Sequence, residues 1–189
     1  MPTTIGRRIV VYGWTGAGKT TMSRRIGAAL GLPVIELDAI FWSPGDWRSL
    51  EVDAFRAAAI EAIEACPDGW VCEGNYTPVR QSVLPLADTV VWLRLPFRVT
   101  YARVWKRTLR RMWTKEQLWE SGNRESWRLS FASRDSLLLY AFTQRRHAFQ
   151  SLIADLETHG QHANVIELRS AREVEAFVRG LEARAQPAS

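Results

Sequence analysis

The chain has 189 residues, 47% of them hydrophobic and 24% charged, a profile that excludes disordered and fibrous classes and suits one ordinary globular domain. No apolar run nears the roughly 20 residues of a membrane helix, and the start "MPTTIGRRIVVYG" lacks the apolar stretch and cleavage site of a secretory signal. Length and the lack of such segments leave a single cytoplasmic domain spanning 1–189 as the expectation, with no membrane partner, and the formal net charge is +5.

In chain order, the apolar run "RRIVVY" (7–12) predicts a short buried strand, and residues 19–30 predict a helix that Gly31 and Pro33 stop. Between them stands "GWTGAGKT" (13–20). A glycine, four residues and then Gly-Lys-Thr allow a tight loop whose backbone N–H groups converge on a phosphate. The helix opening near Lys19 adds the positive end of its dipole. Lys19 reaches the outer phosphates, the Thr20 hydroxyl suits a magnesium ion, and Gly13, Thr15, Gly16, Ala17, Gly18 and Thr21 complete the nucleotide cradle. Trp14 reads as loop filler more readily than as a specific contact.

"PVIELD" (33–38) predicts a second strand ending in an acid, "AIFWSPGDWRS" a loop with two tryptophans, and 51–66 a helix with Val52, Phe55, Ala59 and Ile63 on its apolar face. "GWVCEGNY" (69–76) predicts a third strand, also ending in an acid, and "ADTVVWLRLP" (87–96) a fourth. Helical patterning follows from Arg98 to Trp113. Residues 114–132 are polar and tryptophan-dotted, with a turn at Gly122-Asn123 that Trp119 and Trp127 would hold to the fold. A long helix is expected over 133–158, a last strand over 164–170 and a closing helix after it.

Apolar strands alternating with helices are the signature of a parallel sheet with helices on both faces. Ligands of such sheets sit beyond the carboxyl ends of the strands, so Gly13, Asp38 and Glu73 should meet in one cleft. A phosphate loop needs a carboxylate to hold magnesium or its waters. Asp38 and Glu73 are both candidates, and each could instead cap a helix or pair with an arginine. The chain has no Asn-Lys-x-Asp guanine motif, no Asp-x-x-Gly switch and no apolar run closed by Asp-Glu, which argues against GTP and against large-assembly ATPases.

The charge is uneven. Residues 94–146 hold 13 Lys+Arg against 4 Asp+Glu, while residues 1–93 hold 8 against 10. Arg103, Arg107, Arg110 and Arg111 fall on one helix face, with Val104, Trp105, Leu109 and Met112 free to face the protein. Arginine forks suit phosphate, and such groups neutralise a phosphoryl group in transit. The same segment could instead track a nucleic-acid backbone. Cys66 and Cys72 form no CxxC pair and read as reduced structural residues, and His147, His159 and His162 as surface positions.

The runs "GWTGAGKTT", "GLPVIELDAIFW", "WVCEGNY", "ADTVVWLRLP" and "LWESGNRES" resemble the small bacterial P-loop proteins of the topology modulation or adenylate kinase-like family, within the nucleotide and nucleoside kinase superfamily. The resemblance spans nearly the whole chain. It implies a three-layer P-loop fold with a five-stranded parallel sheet of order 2-3-1-4-5 and an arginine-rich lid over about 103–132. It implies Glu73 as the magnesium-positioning acid, Arg80 as a substrate-phosphate arginine, and Arg103, Arg107 and Arg111 as lid arginines. Asp38, Phe41 and Trp42 would wall the acceptor, with Asn75 and Tyr76 standing where adenylate kinases carry a different run.

ATP and Mg2+ are the implied cofactors. The leading expectation is a kinase acting on a nucleoside, nucleotide or similar hydroxyl compound, with Lys19, Asp38, Arg107 and Arg111 in catalytic roles. A nucleic-acid-associated ATPase and a nucleotide sensor without turnover are the alternatives, and a monomer or homodimer is expected.

Overall fold

The computed structural model describes residues 5–42, 49–114, 117–118, 123–124 and 144–185. Five parallel strands form one sheet: β1 (Arg8–Gly13), β2 (Val34–Glu36), β3 (Trp70–Glu73), β4 (Thr89–Leu93) and, last in the chain, β7 (Asn164–Leu168), in the order β2-β3-β1-β4-β7. Counting only this sheet, the order is 2-3-1-4-5, as the family resemblance implies. A small antiparallel pair, β5 (Gln117–Leu118) and β6 (Asn123–Arg124), lies in the polar segment 114–132, on either side of the expected turn. The residues around it, with most of the expected lid, Trp119, Trp127 and the first part of the helix expected over 133–158, lie outside the described residues.

The alternation of the central strand divides the core. Ile9 and Val11 pack on one face with Met22 and Ile26 of α1 (Lys19–Leu30) and Val178 and Leu181 of α7 (Ala171–Ala185). Val10 and Tyr12 pack on the other with Phe55, Ala59 and Ile63 of α3 (Val52–Glu64), Val79 and Val83 of α4 (Thr77–Val83), and Leu152 of α6 (Arg145–His159). The larger aliphatic and phenylalanine side chains among them contribute about 1.5–3 kcal/mol each by leaving water. Both sheet faces are covered, as near-continuous apolar strands require.

Two expectations change. The second strand ends at Glu36, and residues 37–41 wind into the short helix α2 (Leu37–Phe41), which places Asp38 in its first turn. Helix α5 (Phe97–Thr114) carries the arginines, but only Val104 of the expected inner face is shown buried. Trp105 and Leu109 remain about two-fifths exposed, because α5 rests on the phosphate loop through its first two turns and then runs past it. Among the described residues no helix is long and apolar enough to cross a membrane.

Candidate active site

Register brings the site together. Gly13 at the end of β1 pairs with Leu93 of β4, and Val11 of β1 pairs with Glu73 of β3, so the phosphate loop leaves the sheet between Glu73 and the start of the arginine helix. Gly16 holds a positive φ of 78°, and a Cβ there would lie 2.4 Å from the Thr100 carbonyl oxygen of α5. Only glycine lets the loop and that helix approach so closely. Ala17 N–H donates to the Trp14 carbonyl at 2.9 Å. Trp14 itself is 2% exposed and sits edge-on to Phe149 of α6, so it anchors the loop to the core and is not filler.

The Thr20 hydroxyl donates to Glu73 Oε1 at 2.7 Å. Glu73 Oε2 is buried and has no hydrogen-bond partner among the described residues, and an orphaned buried carboxylate oxygen is costly unless something binds it. Burial raises the Glu73 carboxyl above the usual range, Lys19 and Thr20 lower it, and Asp38 and Glu36 raise it further. A hydroxyl oxygen and a carboxylate oxygen held side by side are hard donors suited to Mg2+, which binds through few protein oxygens and keeps several waters. Thr20 and Glu73 fit that ion.

Asp38 lies on the same side. Its Oδ1 accepts from the Tyr76 hydroxyl at 2.6 Å, and burial followed by the Asp38 charge pushes the Tyr76 phenol well up, so it stays a donor. Phe41 meets Trp42 edge-on (4.7 Å) and packs tilted against Phe55 (4.8 Å) and Tyr76 (4.8 Å), an aromatic wall beside the acid. Gly74, with φ 147°, lets the chain turn from Glu73 to Asn75 while passing close to Leu37 of α2.

Arg80 is placed differently from the role the resemblance implies. Its side chain is 1% exposed and ion-paired with Asp155 of α6. Nε donates to Asp155 at 2.6 Å, Nη1 to Asn75 Oδ1 at 3.1 Å, and Nη2 to Ser151 at 2.6 Å and Thr77 at 3.4 Å. The guanidinium is therefore consumed by protein partners and pins the Asn75 loop to α6. It is not open to a substrate phosphate.

On α5, Arg103 Nη1 donates to the Ala17 carbonyl at 3.3 Å, laying that side chain over the phosphate loop. Arg107 is half-buried and Arg110 exposed. The side chain of Arg111 lies outside the described residues.

Sequence reasoning missed Arg145, which opens α6. It donates to the Leu95 carbonyl at 2.9 Å and lies over the rings of Phe97 and Phe149. With Arg94, Leu95, Pro96, Phe97 and Arg169 it lines an open cavity of about 530 Å³ beyond the ends of β4 and β7. In the sequence it was one of many arginines in a basic segment, and only the return of α6 to the sheet singles it out. Among the described residues no group of three or more His, Cys, Asp or Glu could hold a metal, and Cys66 and Cys72 are free thiols.

Sheet order and phosphate loop together define the fold of the P-loop kinases. Among solved structures, the chain is similar to a sugar kinase from Janibacter (TM-score 0.50, 22% identity, 95% of this chain and 91% of that one). It is also similar to a gluconokinase from Sinorhizobium meliloti (0.49, 20%, 95% and 91%) and a shikimate kinase from Bacteroides thetaiotaomicron (0.46, 16%, 94% and 97%). At these identities the likeness is one of fold. No protein-family model matches the chain, and no curated protein does.

Proposed function

We propose that this chain is a magnesium-dependent kinase that transfers the γ-phosphoryl group of ATP to a hydroxyl of a small molecule. The observation that carries the reading is the Thr20–Glu73 pair, with its unpartnered buried oxygen, set beside an acid, Asp38, that a second side chain holds in place. An oriented carboxylate serves water and an organic hydroxyl alike; the aromatic wall beside it favours the organic acceptor.

In this reading the phosphate loop and Lys19 bind the polyphosphate, and Thr20 and Glu73 would hold the ion, which would supply neutralisation of the phosphate charge. Tyr76 fixes one oxygen of Asp38, leaving the other to accept the proton of the acceptor hydroxyl as its oxygen attacks phosphorus. The bond to the β-γ bridging oxygen breaks and ADP leaves. Arg103 and Arg107, with Arg111, neutralise the transferring group. Phe41, Trp42 and Tyr76 bind the acceptor. The adenylate kinase-like and topology-modulation labels belong to the resemblance and add nothing to the chemistry proposed.

The experiment is ADP production from Mg-ATP with nucleosides, nucleotides, sugars, sugar acids and DNA each added in turn. A burst of ADP matched by a phosphorylated acceptor is the expected result. Free phosphate released on addition of DNA alone, with steep loss in salt, would replace this reading by the nucleic-acid ATPase that the 13-to-4 basic excess of residues 94–146 favours.

A further inference from the structure

The two sides of the site carry opposite charge. Beyond β4 and β7 stand Arg94, Arg145 and Arg169, of which Arg94 and Arg169 share the Glu167 carboxylate at 2.8 and 2.7 Å, so an excess of positive charge remains, and Arg103 lies over the loop. Beyond β2 and β3, three strand spacings or roughly 14 Å away, stand Glu36, Asp38 and Glu73. These acids sense one another: both Asp38 and Glu36 raise the Glu73 carboxyl.

Among the described residues the arginines near this acidic side are already matched. Arg24 pairs with Glu36 at 2.7 Å, Arg56 with Asp53 at 3.0 Å, and the buried Arg80 with Asp155. Ions at Thr20 and Glu73 would offset Glu73 but leave Asp38. Its carboxylate then sets the local field, and the faces beside it are the rings of Phe41, Trp42 and Tyr76.

We propose that the acceptor is a hydroxyl compound without a carboxylate or phosphate group, uncharged or cationic, that lays a flat or apolar face on Phe41 and Tyr76, and that Asp38 excludes anionic analogues. A carboxylate or phosphate brought to this wall would meet the Asp38 charge, and among the described residues the arginines beside it are already ion-paired. A neutral ring loses nothing there, and a cation gains both from Asp38 and from the aromatic faces. Polyphosphate binds on the arginine side and acceptor on the acidic side, so the polarity of the site keeps the two substrates from exchanging places. The inference rests on the kinase reading for its acceptor, and its test separates the two.

The test is calorimetric binding to the full chain, loaded with Mg2+ and a non-hydrolysable ATP analogue, of matched probes: adenosine against its 5′-monophosphate, and glucose and glucosamine against gluconate. The uncharged or cationic member of a pair is expected to bind at least about tenfold more tightly than the anionic one, and Asp38→Asn to narrow that ratio. An anionic member bound as tightly as its partner, an unchanged ratio in Asp38→Asn, or no binding by any uncharged or cationic probe would overturn the proposal. The kinase reading is judged separately, by the mass of the product with ATP. A bound acceptor that gains no phosphoryl group leaves the charge rule standing and overturns the kinase.

Discussion

Thr20 and Glu73 lie 53 positions apart in the chain, yet the Thr20 hydroxyl donates to Glu73 Oε1 at 2.7 Å while Oε2 stays buried without a partner among the described residues. One residue opens a helix and the other ends a strand, and the parallel pairing of β1 with β3 brings them together.

Glu73 should set stability and metal binding in opposite directions. Its folded-state pKa lies above the ordinary 4.5, chiefly through burial. The folded chain thus holds this proton more tightly than the unfolded chain does, so the group favours the fold at low pH and opposes it as pH rises past 4.5 and through the raised value. Glu73→Gln should leave the melting temperature at neutral pH unchanged or higher, while the Mg2+ concentration for half-maximal ATP turnover rises roughly ten- to a hundredfold. In the wild type, Mg2+ affinity should begin to fall at a pH above the usual carboxylate range, and that fall should be absent from Glu73→Gln. A destabilised variant with unchanged Mg2+ demand would sink the assignment.

Asp38→Asn should nearly abolish transfer to a small-molecule acceptor while ATP affinity stays close to wild type. Tyr76→Phe, which frees Asp38 Oδ1, should lower kcat by a smaller factor. Steady-state kinetics with a separate nucleotide-binding measurement decides it, and equal loss of both quantities would reject the role.

Arg80 should behave as a structural ion-pair partner. Arg80→Met strands Asp155 in the interior and should cost about 3–5 kcal/mol in denaturant unfolding. The double replacement Arg80→Met with Asp155→Leu should recover most of that loss. Were Arg80 a substrate contact instead, Arg80→Met would raise KM and leave unfolding untouched.

Gly16→Ala should couple a stability loss to a binding loss. A side chain at φ 78° that also meets the Thr100 carbonyl at 2.4 Å forces the loop off α5, at a cost of at least about 1–3 kcal/mol. The rise in melting temperature that Mg-ATP gives the wild type should shrink sharply in the variant. A full ligand-induced shift would show that the close approach is dispensable.

Local pattern alone determined much of this protein. The bounds of α1, the strands around Val10, Val71 and Val90, and the phosphate loop follow from periodicity, stop signals and glycine spacing, all of which act between near neighbours. The residue types of the site were also legible, because lysine, threonine and acids in that setting suit one kind of chemistry. Tertiary structure alone decided what each of them touches. It gave Thr20 to Glu73 and Tyr76 to Asp38, turned Arg80 inward to Asp155, seated Trp14 against Phe149, and brought Arg145 back over Phe97. The reason is that an arginine or a carboxylate reads the same in sequence whether it meets solvent, a ligand or a buried partner. Which of these it meets depends on strand register and helix return over tens of residues, where no local propensity reaches.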